Sequence, residues 1–360
     1  MNSVWVYACC LLHCLFFSGL TAADDWPQLP SEDGAVALPA QEWSQKPGPR
    51  QVRALIHYPQ GELASVNAQT GVMLSLHNWG GEDCVGTADP QTLANRLNVV
   101  AVCVNYLQSG RRSSLEDPEP YDFGYLQSLD ALRALWFVGH RLQQAGIAYD
   151  DRRLYCTGGS GGGNVTQMAA KFAPRTFACV IDMCGMKKLS DDIAFNLPGG
   201  STLNARWSRQ PQSPNYLSRD EQEIRFVAHP QHLTTRQQLG SRTKIVVVHG
   251  VDDHTCPIED ARELVANMQA AKVDVEPHFI SEAELDGSVF TSTGHPLGNR
   301  TEIVLSVAGQ YLTPGSEQLL RREGKSDFEL QEDVRYATST GEFVISYAAG
   351  FPVGRFEPGR

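Results

Sequence analysis

The chain has 360 residues, 42% hydrophobic and 20% charged, with a formal net charge of -11. That length suits one large domain or two small ones with a sizeable buried core. The acidic balance argues against nucleic acid or an anionic membrane as a partner.

Residues 1–23 contain no Asp, Glu, Lys or Arg, and residues 4–19 form a mostly apolar run centred on Leu11, Leu12, Leu15, Phe16 and Phe17. Thr21-Ala22-Ala23 then places small residues where a signal peptidase would cut. The expectation is a cleaved secretory signal over residues 1–23 and a secreted or periplasmic protein. An N-terminal anchor on an extracytoplasmic protein is the alternative. No membrane contact beyond export is expected, because no later stretch holds the ~18 uninterrupted apolar residues of a spanning helix. Cys9, Cys10 and Cys14 fall in the signal. Of Cys84, Cys103, Cys156, Cys179, Cys184 and Cys256, most are expected to be free buried thiols, with any disulfide connectivity open.

Residues 24–50 read as an extended lead-in. After it, apolar runs alternate with helical patterns. Residues 51–58 and 71–77 suggest strands, the second closing on Gly80-Gly81, and the β-branched run 97–105 suggests a strand covered on both faces. Residues 125–145 predict a long helix, with Leu126, Leu129, Leu132, Leu135 and Val138 along one side. A strand at 153–157, a helix at 161–172, strands at 176–183 and 244–249, a helix at 258–271, a strand at 273–280 and a helix at 300–312 follow. This alternation implies an α/β fold, with a mostly parallel central sheet and helices on both faces. Between residues 186 and 243 it fails, and Pro, Asn, Arg, Ser and Gln predict a cap insertion arching over the sheet. Residues 316–360 are expected to be a C-terminal appendage, with a hairpin around Thr340-Gly341.

The strongest chemical signal is Gly158-Gly159-Ser160-Gly161-Gly162 between a strand and a helix. A nucleophile elbow needs this composition: the serine sits on a strained turn where bulky neighbours would clash. A flexible glycine turn or a phosphate cradle is the alternative, but the Gly-Lys-Ser/Thr of a Walker loop is missing. Chain order strengthens the case, since this architecture places Ser first, the acid second and His last. The strand at 244–249 runs into Asp252-Asp253, and Gly294-His295 follows the next strand. The expected catalytic residues are Ser160, Asp253 and His295. A metal cluster of His249, His254 and Cys256 with the two aspartates lacks a zinc-type spacing, so neither metal nor cofactor is expected.

These pieces resemble the α/β-hydrolase superfamily, especially dienelactone-hydrolase-like esterases and the catalytic domain of prolyl-oligopeptidase-type enzymes. His249-Gly250-Val251-Asp252-Asp253 followed by Pro257 is similar to the family's acid loop, and this implies Asp253 rather than Asp252. Leu76-His77-Asn78-Trp79-Gly80-Gly81 resembles its oxyanion loop, with Asn78 standing where the pattern has glycine. The resemblance covers residues 50–313 and implies the amides of Trp79 and Gly161 as oxyanion donors. It implies a serine hydrolase acting on a small ester, with a peptidase acting on short peptides as the alternative. A non-catalytic, ligand-binding member of the fold is the reading from another class. Trp207 and Tyr216 in the insertion are candidate substrate-binding residues. Oligomeric state is left open.

Overall fold

A computed structural model describes residues 26–359; the expected signal segment lies outside them. The main sheet has eight strands in the order β1-β2-β4-β3-β5-β6-β7-β8. β1 (Gly34–Ala40) and β2 (Arg50–His57) are antiparallel to their neighbours. β3 (Gly71–Leu76), β4 (Val99–Asn105), β5 (Leu154–Gly159), β6 (Cys179–Met183), β7 (Lys244–Gly250) and β8 (Val275–Ile280) pair in parallel. β3, β5 and β6 are buried at every residue, as expected of strands covered on both faces.

One face packs on α1 (Pro90–Leu97) and α8 (Arg300–Leu312). The other packs on α2 (Tyr125–Gln144), α3 (Gly161–Phe172) and α7 (Ile258–Ala270). α2 has sixteen buried residues among its twenty, so it is embedded rather than laid on a surface. No helix of the described residues is long and apolar enough to cross a membrane.

The segment read as a cap carries three short helices, α4 (Asp191–Phe195), α5 (Arg219–Ile224) and α6 (Pro230–Gln238). Polar groups fasten it from below. Lys187 is ion-paired with Asp182 in the interior, Asn164 donates to the Met186 carbonyl at 3.0 Å, and Lys171 donates to the carbonyls of Ile224 and Phe226.

Two regions differ from the sequence expectation. The lead-in contains β1, whose sequence is mainly alanine, glycine and proline and lacks the β-branched and aromatic run that marks a strand. The C-terminal residues form α9 (Asp327–Leu330) and a three-stranded sheet, β9 (Val334–Ala337), β10 (Gly341–Ser346) and β11 (Val353–Pro358). Tyr336, Phe343, Tyr347 and Phe351 from this segment are buried in the main core beside α2 and α3. The tail is therefore part of the fold's packing and not a loose extension.

Cys84 and Cys103 form a disulfide between the loop after β3 and strand β4. Cys156, Cys179, Cys184 and Cys256 are free and buried.

Candidate active site

The turn from β5 to α3 holds Ser160 at φ 56°, ψ -121°, a strained conformation that persists only when its surroundings enforce it. Those surroundings are backbone. A Cβ on Gly158 would lie 2.3 Å from the Gly162 carbonyl oxygen, and one on Gly162 would lie 2.1 Å from that of Leu76. Glycine is required here because main chain passes where a side chain would stand. The Ser160 amide donates to the Met183 carbonyl at 2.8 Å, which pins the turn to the end of β6.

Loops at the same end of the sheet bring the other two residues in. His295 Nε2 is 2.9 Å from Ser160 Oγ, and His295 Nδ1 is 2.8 Å from Asp253 Oδ2. Asp253 Oδ1 accepts the amides of Thr255 and Cys256, each at 2.9 Å. Burial works to raise the Asp253 pKa, but these bonds and the His295 ring outweigh it and hold the carboxylate below its usual range. Asp252 is exposed and accepts a hydrogen bond from Thr293 Oγ1 at 2.7 Å; His254 is exposed as well. Ser160 is 7% exposed and the His295 side chain 22%, so the relay is largely enclosed but reachable.

His249 is buried beneath this relay, with Nε2 2.8 Å from the Cys256 carbonyl and 3.4 Å from Asp253 Oδ2. Burial and the Lys187 charge lower its pKa to about 4, so it is a neutral ring donating Nε2–H.

The oxyanion loop lies against the elbow. A Cβ on Gly161 would be 2.6 Å from the Trp79 amide nitrogen, so the two amides expected as donors are neighbours. Neither has a hydrogen-bond partner among the described residues. Asn78 fits because its side chain occupies the space beside Gly81 and Gly86; a Cβ on Gly86 would be 2.2 Å from Asn78 Oδ1. Beneath the loop, His77 stacks on Tyr106 at 4.1 Å and meets Ser109 Oγ at 2.6 Å. Burial lowers the His77 pKa to about 4.

Three contributors escaped the sequence reading. Tyr121 stacks on Trp79 at 3.8 Å with 8° between planes. Arg300 packs against Gly159 and donates to the Gly86 carbonyl, tying elbow to oxyanion loop. Cys184 follows β6 directly, and its sulfur, Asp253 and His295 offer ligand atoms within 4.8 Å of one another. The Asp253 and His295 atoms are already spent on each other and on Ser160. Only the position of Cys184, one residue past a buried strand, hinted at its place.

Trp207 and Tyr216 line a cleft shared with Trp43, Tyr125, Phe343 and Phe356; Ser160, Asp253 and His295 are not among its walls. Trp207 instead reaches the site indirectly, donating Nε1–H to the Tyr121 carbonyl at 3.0 Å.

Fold and site together define the class: an α/β-hydrolase-fold serine hydrolase. Within it, residues 136–298 match the model of the prolyl oligopeptidase family, a stretch that includes Ser160, Asp253 and His295. Among solved structures, Pyrococcus horikoshii acylaminoacyl peptidase superposes with a TM-score of 0.54 at 14% identity, over 80% of this chain and 43% of that one. Porphyromonas gingivalis dipeptidyl peptidase 4 gives 0.51 at 14% identity, over 78% and 35%. At such identity the likeness is one of fold, and the chain spans less than half the length of either structure. No curated protein sequence matches it.

Proposed function

We propose that the protein is an exported hydrolase that cleaves carboxylic esters through an acyl-enzyme on Ser160. The observation that carries this is the continuous relay from Ser160 Oγ through His295 to Asp253. Nδ1–H of His295 donates to Asp253, which leaves Nε2 with its lone pair toward the serine hydroxyl. Nε2 takes that proton as Oγ attacks the carbonyl, and Asp253 stabilises the imidazolium that forms. The Trp79 and Gly161 amides receive the negative charge on the carbonyl oxygen. His295 then returns its proton to the leaving oxygen, and water releases the acid by the reverse path.

An ester is favoured by the apolar wall beside the oxyanion loop. The half-buried Trp79 ring stands there, backed by a buried cluster that includes Tyr121, Phe123, Met186 and Cys256, and offers an acyl chain an apolar contact. A serine peptidase acting on short peptides is the second reading, supported by the prolyl oligopeptidase family match. The Cys84–Cys103 bond supports an exported location, since cytosolic thiols are kept reduced.

Fluorophosphonate labelling, followed by a panel of nitrophenyl esters and dipeptide amides, tests the proposal. Labelling at Ser160 with turnover of the esters supports it. A protein that resists labelling is a binding member of the fold, and turnover of the amides alone makes it a peptidase.

A further inference from the structure

A second group of buried polar side chains lies away from the triad, where α3, α6 and β9 meet. Lys171, His232, Arg236 and Tyr336 are each 0% exposed. Lys171, Tyr336 and one nitrogen of His232 are satisfied, while His232 Nδ1 has no hydrogen-bond partner among the described residues. Lys171 Nζ donates to the Ile224 and Phe226 carbonyls, the Tyr336 hydroxyl donates to the Lys171 carbonyl, and His232 Nε2 donates to the Ala337 carbonyl at 2.9 Å. Arg236 differs. Its Nε and both terminal nitrogens are buried and have no hydrogen-bond partner among the described residues.

A guanidinium cannot escape this situation by losing its proton. An enclosed cation with no counter-charge costs several kcal/mol, so the site calls for an acceptor that the polypeptide does not supply. The buried carboxylate in the same neighbourhood is Asp327, which with Arg236 acts on Tyr336. It is already spent: its oxygens accept from the Arg175 amide, Arg175 Nε and Thr176 Oγ1. Lys171, which feels the Arg236 charge, is of the same sign.

We infer that Arg236 holds a small monovalent inorganic anion, a halide such as chloride, at the junction of α3, α6 and β9. Enclosure sets the size. Arg236 is fully buried, and the rings beside it are closely packed, His232 on Tyr336 at 5.1 Å and Phe172 on Tyr336 at 6.2 Å, so a small ion suits the place better than an organic acid. A monovalent anion also gives up its water more cheaply than a divalent one such as sulfate. Bound there, it bridges the cap helix α6 to the C-terminal sheet and to α3, the helix that begins immediately after Ser160.

The experiment uses the mature protein with sodium bromide and sodium chloride as probes. Crystals soaked in bromide are expected to show an anomalous peak within hydrogen-bond distance of the Arg236 guanidinium. Thermal unfolding at constant ionic strength, with gluconate exchanged for chloride, is expected to give a saturable rise in Tm. In Arg236→Met the rise disappears, and in gluconate alone this variant is at least as stable as the parent because the uncompensated charge is gone. Water density without an anomalous peak, or equal chloride responses in parent and variant, overturns the inference. If Arg236→Met does not fold, the bromide peak in the parent decides alone.

Discussion

The elbow around Ser160 and the cap between residues 186 and 243 sit at the same end of the sheet, yet they are specified by different means. The elbow is fixed by main chain meeting main chain, with Gly158 and Gly162 closing on carbonyl oxygens at distances no side chain could share. The cap is fixed by long side chains reaching to carbonyls: Lys171 to Ile224 and Phe226, Arg206 to Ser114, Trp207 to Tyr121. Backbone approach demands one residue type and leaves a mark in the sequence. A lysine or tryptophan that finds a carbonyl leaves none, because any exposed loop could contain it.

That contrast can be broken or sharpened by substitution. Ser160→Ala should lower turnover by on the order of 10⁶-fold and abolish fluorophosphonate labelling, with thermal unfolding unchanged. Persisting labelling would remove Ser160 from the mechanism.

Asp253→Asn should cost about 10⁴-fold, as loss of the orienting acid does in a well-studied serine protease. Asp252→Asn should cost less than about tenfold, because that carboxylate is exposed and meets only Thr293. A reversed order in steady-state kinetics would mean that the loop pairs with His295 in another register.

Acid should destabilise the elbow end of the molecule through its buried histidines. His77 and His249 are lowered to about 4, whereas the unfolded chain takes up these protons near 6.5. Their contribution is complete above about pH 6.5 and is lost as pH falls to about 4, since the unfolded state binds more protons in that window. Each accounts for at most on the order of 3 kcal/mol. Tm measured between pH 7 and 4 should fall, and more gently in His249→Gln. A flat profile would refute the assignment of neutral rings.

The smallest effects belong to the cap. Trp207→Ala should reduce ester turnover a few-fold by releasing Tyr121 from behind Trp79, and Tyr216→Ala should leave it within twofold. A shift in acyl-chain preference in the Tyr216 variant would show that its cleft receives substrate.

How much of this was legible follows from the same contrast. The inner strands β5, β6 and β7 and the helices α2 and α3 were readable, because runs such as Ile245–Val248 are apolar throughout and α2 repeats leucine at helical spacing. The edge strand β1 and the late strand β11 were not: β1 is mainly alanine, glycine and proline, and β11 sets few apolar residues among charged ones, a glycine and a proline. At the site, the three residues singled out by motif and chain order are the three within hydrogen-bonding distance. Tyr121 and Arg300 were illegible because their roles depend on which loop lies across which glycine, a matter of tertiary approach and not of spacing.

The aromatic cluster around Trp26 has a consequence for how the protein is made. Trp26 lies 4.8 Å from Trp136, 6.1 Å from Phe137 and 5.1 Å from Phe351 by ring centroids, so the first and last described segments clasp the middle of α2 between them. Until Phe351 arrives, α2 presents an open apolar seam to whatever surrounds the growing polypeptide. The hydrolase is thus assembled like a strap that holds only once its free end is threaded. The core can seal on this side only after Phe351 has been made.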